Sequence, residues 1–312
     1  MPLIVMRDDL GDYNLYGYDF PAVGDYTYWD AFARNPSPLG RDLWIIPMGN
    51  NTLNMTEVNS AVGGGQDLAM MKDDEGQKLY IYNTPLKGDW SYWDLEARNP
   101  LPRARDFWVI PSGNNTELIA DSGGDLATMR NQAGDYNFYL YRRPYPGDWT
   151  QHDAQARNPS PLARDFWIIP QGNDTVAMCG LDTTGDGAAD SLLQVRNELG
   201  DYSVYVWNMP TEGDWSYWDA MARNPAPIAR DFWAIPQRND IADVIGIPRD
   251  GSFDELGVVE DNAGDFNFYL WNAPRPGDWT WWDADGRNPS PLARDYWLIP
   301  SGDDTVDVAA PR

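Results

Sequence analysis

"GDWSYWDLEARNPLPRARDFWVIP", residues 88–111, is one of five near-copies of a single block. The others span 24–47, 147–170, 213–236 and 277–300, and all five match without a gap. Each copy keeps Gly-Asp, a second Asp six places after the Gly, Arg-Asn-Pro-x-Pro, Arg-Asp, a Trp and a closing Ile-Pro. Successive copies begin 64, 59, 66 and 64 residues apart, a period that signals one structural unit repeated along the chain.

The segments between the blocks repeat as well. Before each block runs an aromatic stretch such as "GDYNFYLYRRP" (134–144) or "GDYSVYVWNMP" (200–210). Aromatic residues at every second or third place, stopped by Pro, predict a strand. A short apolar run precedes each of these, as in "DLAMM" or "DSLLQV", and further runs such as "DTVAMCG" follow each block after Gly, Asn and Asp turns. Each unit thus offers four short strands, with the block between the third and the fourth. Helical periodicity is nearly absent; "YWDAFARNP" is expected to form at most one turn before its Pro.

Four antiparallel strands in about 62 residues is the size of a propeller blade. The chain opens at the second strand of a unit and ends after a first strand, "DDTVDVAA" (303–310). The expectation is an all-β chain: a five-bladed β-propeller of four-stranded antiparallel blades, closed by pairing of the N- and C-terminal strands. Residues 1–312 are expected to form a single domain. A stacked solenoid is the competing arrangement, but no distinct capping copies are present.

Hydrophobic residues make up 42% of the 312, enough for a core. The net charge of −25 argues against nucleic acid and anionic membrane surfaces, whose binding relies on Lys and Arg. No stretch reaches the roughly 20 apolar residues of a membrane helix, so no membrane insertion is expected. The first ten residues lack the basic start and cleavage site of a leader. Compatible partners are cations, carbohydrate and basic patches of another protein. The one cysteine, Cys179, excludes an intrachain disulfide and reads as a small buried residue. "NNT" and "NDT" at Asn50, Asn114 and Asn173, and "NMT" at Asn54, match glycosylation acceptors but recur at a repeated turn, which explains most of them.

The strongest short motif is "DTTGDGAAD", 182–190. It places side-chain oxygens at Asp182, Thr184, Asp186 and Asp190, with the Ala188 carbonyl as a further donor and Gly187 at the sharp turn. That alternation suits a hard cation such as Ca²⁺. With the strand-forming flanks on either side, the loop resembles the FG-GAP/VCBS repeat family of β-propellers, which includes the integrin-type head. The resemblance implies a calcium-holding loop between the first and second strands of a blade, with Thr184 in place of the middle Asp. The expected setting is extracellular or cell-surface, with the cytoplasm as the alternative. The corresponding segment "IPRDGSFDEL" keeps only Asp250, Gly251 and Asp254, and the other units have lost most ligands.

Fourteen of the sixteen tryptophans lie in the five blocks. Those of the "RDFW" type (Trp44, Trp108, Trp167, Trp233, Trp297) are expected to pack between blades. Arg98 and Arg105, with Asp94 and Asp106 and their copies, are expected to act as interblade clamps. The opening of each block sets aromatic rings beside carboxylates, the chemistry that stacks on a sugar and reads its hydroxyls. The candidates are Trp90, Tyr92, Trp93 and Asp94; Trp215, Tyr217, Trp218 and Asp219; and Trp279, Trp281, Trp282 and Asp283, flanked by Asp89, Asp214 and Asp278. The third block differs, with Gln151 and His152, the only histidine. Acids repeated in every unit fit structural or multivalent roles better than one active site, so the expectation is a non-enzymatic binder. Multivalent lectin-like recognition with a structural calcium leads; a structural or protein-interaction propeller is the alternative, and a glycoside hydrolase the minority reading.

Overall fold

The computed structural model describes twenty strands, the loop 182–190 and a few adjoining residues (23–24, 84, 88, 123, 209, 212–213, 273–275, 277–278 and 310). No helix is present among them, and the strands form five four-stranded antiparallel sheets. The first sheet contains β1 (Pro2–Asp8), β2 (Tyr13–Asp19) and β3 (Gly40–Asp42). The second contains β4 (Thr52–Asn59), β5 (Gln66–Asp73), β6 (Gln77–Asn83) and β7 (Ala104–Asp106). The third contains β8 (Thr116–Ser122), β9 (Asp125–Gln132), β10 (Asp135–Arg142) and β11 (Ala163–Asp165). The fourth contains β12 (Thr175–Leu181), β13 (Ser191–Asn197), β14 (Tyr202–Asn208) and β15 (Ala229–Asp231). The fifth contains β16 (Ile241–Arg249), β17 (Ser252–Asp261), β18 (Phe266–Asn272) and β19 (Ala293–Asp295). The last strand, β20 (Thr305–Ala309), returns to the first sheet and pairs with β1, Val5 opposite Val308.

The aromatic runs are the third strands, and their alternation decides how sheets pack. Successive residues of a strand point to opposite faces. Tyr16 and Tyr18, Tyr80 and Tyr82, Tyr139 and Tyr141, and Tyr205 and Trp207 therefore stack as same-face pairs, centroids 6.2–6.3 Å apart. Each pair lies in a core shared with the preceding sheet, while Leu15, Ile81, Phe138, Val206 and Phe268, on the opposite face of the same strands, pack toward the next. Tyr269 and Trp271 of β18 likewise face the fourth sheet. Five cores result, one at each seam, joining the sheets in cyclic order with the fifth against the first. Burying each large side chain contributes about 2–3 kcal/mol, so both faces of every sheet stabilise the assembly.

The first strands meet in the same cycle: β4 packs on β8, β8 on β12, β12 on β16, β16 on β20 and β20 on β4. Each also carries a bulge at its second residue, where the ladder slips between Thr52 and Asn54, Thr116 and Leu118, Thr175 and Ala177, Ile241 and Asp243, and around Val306. A bulge releases backbone groups from the ladder. At three seams a side chain of the adjoining sheet accepts the N–H at the fourth position. Val308 N–H donates to Asp243 Oδ2 (3.3 Å), Met55 N–H to Asp307 Oδ2 (2.6 Å) and Ile119 N–H to Asn54 Oδ1 (2.9 Å). Leu118 and Ala177 occupy the same place on β8 and β12 and cannot accept. At those two seams glycines stand where the backbones meet. A Cβ at Gly180 would collide with the Asp121 carbonyl oxygen, and one at Gly246 would lie 2.5 Å from the Gly180 carbonyl oxygen.

The fourth strands are short, Ala-Arg-Asp in four sheets and Gly-Arg-Asp in the first. Arg105 and Asp106 of the expected clamps sit in β7. Asp94, Arg98, the "RDFW"-type tryptophans, the single turn expected in "YWDAFARNP" and His152 lie outside the described residues.

Candidate functional site

Because the strands of each sheet are antiparallel, the connection from first to second strand and that from third to fourth leave from the same end. The loop 182–190 is the former type, and the blocks are the latter. The five block connections, 20–39, 84–103, 143–162, 209–228 and 273–292, each have twenty residues between strand bounds. One end of the five sheets thus receives the loop and the roots of all five blocks. Their opening glycines, where described, share one backbone shape: φ is 97° at Gly24, 94° at Gly88, 98° at Gly213 and 96° at Gly277. Side chains with a Cβ rarely adopt that region, which is why each block starts with Gly. The Asp that follows has a turn-making role. Asp278 Oδ2 accepts the Arg275 N–H at 2.8 Å, while the Asp278 N–H donates to the Arg275 carbonyl at 3.0 Å.

The loop curls around Asp182. Its Oδ1 accepts the N–H of Thr184 at 3.0 Å and of Gly185 at 2.5 Å, and Oδ2 accepts that of Gly187 at 2.6 Å. Gly185 and Gly187, with φ of 83° and 89°, make the path sterically allowed. Asp190 closes the loop: its Oδ1 accepts the Thr183 N–H at 3.0 Å and hydroxyl at 2.8 Å. Burial opposes its ionisation, but donors from Thr184, Thr183 and Ser191 outweigh this and hold its pKa below the ordinary carboxylate value. The other oxygen, Oδ2, is screened from solvent and accepts no hydrogen bond.

The loop also braces its surroundings. Met209 N–H, at the root of the fourth block, donates to the Asp190 carbonyl at 3.1 Å. Asp254 N–H of β17 donates to the Asp182 carbonyl at 3.1 Å, and Asp182 N–H donates back to Asp254 Oδ2 at 2.8 Å. On the other side Gly123 lies over the Ala189 carbonyl, only 2.9 Å from where a Cβ would stand. Three successive sheets therefore meet at this loop. A cleft of about 120 Å³ opens beside it, lined by Asp182, Thr183, Phe253, Asp254, Asn272 and Arg275. The Arg275 guanidinium lies 5.1 Å from the centre of the exposed Phe253 ring.

The five residues expected to hold calcium stand as follows. Asp182 is buried, Asp190 and Ala188 are half-buried, and Thr184 and Asp186 are exposed. Asp186 Oδ1 accepts the Ala188 N–H at 2.9 Å. Among the described residues no three His, Cys, Asp or Glu side chains converge as a ready-made metal cage. The buried, unpartnered Asp190 Oδ2 and the loop path around Asp182 fit a hard cation; Asp186 would have to turn inward to join them. Asn54 is committed to the seams, its Nδ2 donating to Asp307 Oδ2 at 3.1 Å. Trp90, Tyr92, Trp93, Asp94, Trp215, Tyr217, Trp218, Asp219, Trp279, Trp281, Trp282 and Asp283 lie outside the described residues, as do Asp89 and Asp214. Asp278 has its carboxylate in the turn described above.

A second polar cluster gives no signal in any single repeat. A small cavity of about 20 Å³, room for about one water, is lined by residues of all five first strands, among them Asn54, Glu57, Cys179, Asp243 and Asp307. There the Asp243 and Asp307 carboxyl groups converge on one donor, the Val308 N–H, at 3.3 and 2.8 Å. Burial, then the Asp243 charge, push Asp307 well above the usual carboxylate range; burial also raises Asp243.

No family model matches this chain. No curated protein matches it either. Solved structures with some similarity include the WD40 domain of Toxoplasma gondii coronin, 11% identical over 87% of this chain and 53% of that one, with a TM-score of 0.34. TolB from Acinetobacter baumannii is 10% identical over 87% and 49%, at 0.42, and the Dos1 propeller 9% over 94% and 55%, at 0.35. This chain spans about half the length of those chains. At such scores the reading of the fold rests on this chain's own strand order and cores.

Proposed function

We propose that the chain is a closed, five-bladed β-propeller of the non-enzymatic kind, an interaction platform that engages a protein partner through the end carrying its five blocks. What supports the closed ring is the cycle of five seam cores together with the β20–β1 pairing. The observation that carries the function is the emergence of five equal connections, each rich in Trp, Tyr and Asp, at one end of the sheets. Loops on a rigid scaffold are where binding residues concentrate. Aromatic residues are enriched in the centres of protein interfaces. A net charge of −25 favours a partner surface with Lys and Arg, approached under long-range attraction.

The loop 182–190 is proposed to hold Ca²⁺ through Asp182, Asp186 and Asp190, with Thr184 and the Ala188 carbonyl. Its role is structural: a cation there ties Asp182 to Asp190 and so stiffens the brace between three sheets. An extracellular or cell-surface setting, where calcium is abundant, suits this reading.

Carbohydrate recognition is the second reading, favoured by the pairing of rings and carboxylates in Trp215, Tyr217, Trp218 and Asp219 and their counterparts. The test is binding of the intact protein to a lysine-rich peptide surface and to a broad glycan array, with Trp93→Ala, Trp218→Ala and Trp282→Ala combined in one variant. The interaction reading expects salt-sensitive binding to the peptide, weakened about tenfold or more in the variant, and a silent array. Array signals lost in the variant, with no peptide binding, would replace it by the carbohydrate reading. Retention of both in the variant would remove the blocks from function.

A further inference from the structure

The Asp243–Asp307 pair, where the five first strands meet, stands beside the bulges, at the end away from the loop 182–190 and the block roots. Asp243 and Asp307 lie at the third position of β16 and β20, and both accept hydrogen bonds from the same Val308 N–H, at 3.3 and 2.8 Å. Asp307 Oδ2 also receives the Met55 N–H and the Asn54 Nδ2–H. Asp243 Oδ1 accepts the Val244 N–H. Two carboxylates held against one shared N–H in this cavity repel each other, and a proton on one of them removes that repulsion and supplies the donor that both lack. These same two side chains latch β16 to β20 and β20 to β4, the two seams on either side of the returning strand.

We propose that Asp243 and Asp307 share one proton at neutral pH and form a proton-operated latch that holds β20 in place, releasing its grip when that proton is lost at alkaline pH. Among the described residues, few other titratable groups face the pair. Glu57 of β4 and the Cys179 thiol of β12 line the same cavity, while β8 contributes Ile119. On the strands paired behind it, Arg7 of β1 lies in register with Thr305 and Glu260 of β17 with Ile241.

The direction follows from linkage. Carboxyls whose pKa is raised by folding add stability that is fully present below the unfolded value, about 3.9, and lost as pH rises through the folded one. The protein supplies a natural substitute: at the third position of β4 stands Asn54, whose amide donates a proton that pH cannot remove. Asp307→Asn and Asp243→Asn therefore imitate the protonated latch.

The experiment is thermal unfolding of the full chain from about pH 5 to about pH 9, with infrared spectra at neutral pH. Wild type should lose on the order of 5 °C more in midpoint over that range than Asp307→Asn or Asp243→Asn. Glu212→Gln, which removes an exposed charge, and Cys179→Ala should keep the wild-type slope. A protonated-carboxyl stretch should be present in wild type and Glu212→Gln and absent from both Asn variants. Equal slopes in wild type and both Asn variants, or no such band in wild type, would overturn the proposal. If one Asn variant does not fold, the other decides. Stabilisation by magnesium or calcium in Asp190→Asn that disappears in Asp190→Asn/Asp307→Asn would assign the pair to a cation instead and equally overturn it.

Discussion

The five seams are built in two ways. From β16 through β20 and β4 to β8, Asp243, Asp307 and Asn54 reach across near the bulged end and take a backbone N–H from the adjoining sheet. From β8 through β12 to β16, Leu118 and Ala177 offer no acceptor, and Gly180 and Gly246 let the backbones approach instead. Those two seams are braced at the opposite end by the loop 182–190, which bonds Asp254 on one side and lies under Gly123 on the other. One scaffold thus solves a single packing problem by polar latches where Asp or Asn is available and by close contact plus a loop where it is not.

The largest effects should come from filling the close seams. Gly180→Ala and Gly246→Ala each place a Cβ against backbone that cannot rotate away, and should cost about 3 kcal/mol in denaturant titrations. Stability unchanged by either would show that those seams are looser than described. Next comes Asn54→Leu, which gives β4 the residue β8 carries. It leaves the Ile119 N–H without its acceptor and should cost about 2 kcal/mol. A neutral result would mean the latch is not needed where it occurs.

Calcium, if held as proposed, should separate the two regions more gently. Saturating calcium should raise the midpoint of wild type by about 5 °C relative to chelator, and of Asp190→Asn hardly at all. The added hydrogen-exchange protection should fall on 180–190 and 252–256, not on β20. Acid should act in opposite directions. The lowered pKa of Asp190 means its contribution is present above the ordinary carboxylate pKa and lost as pH falls through the folded value. The Asp243–Asp307 latch, with raised values, gains on the same descent. Exchange measured region by region from about pH 6 to about pH 3 should loosen the loop while β20 holds. The smallest effect belongs to Arg275→Ala, which removes an exposed guanidinium from the Phe253 ring and should cost about 0.5 kcal/mol.

Much of this architecture was legible in the repeats. The aromatic alternation marked the third strands because both faces of each sheet are buried, and Tyr16 and Tyr18 show why the run is aromatic on one face. The loop 182–190 announced itself through its spacing of oxygens and glycines. The latch did not, because a local motif cannot show it. Asp243, Asp307, Asn54, Leu118 and Ala177 put four residue types at one repeated position, and the partners of the three that latch lie 65 residues away or, across the β20–β4 seam, 252. Only the register of the bulges brings them together. The brace was half visible: the loop could be read, and its bond to Met209 extends the β13–β14 ladder, but its bonds to Asp254 depend on the packing of separate sheets.

The proposed closed ring requires β20 to lie against β1. In a Cys179→Ala background, Val5→Cys and Val308→Cys face each other across the β1–β20 ladder, at a spacing that a disulfide spans. Oxidation at low protein concentration should give a monomer with an internal cross-link: two thiols lost, faster migration without reductant, and a higher unfolding midpoint. Free thiols that persist, or cross-linking only between molecules, would contradict the closed ring.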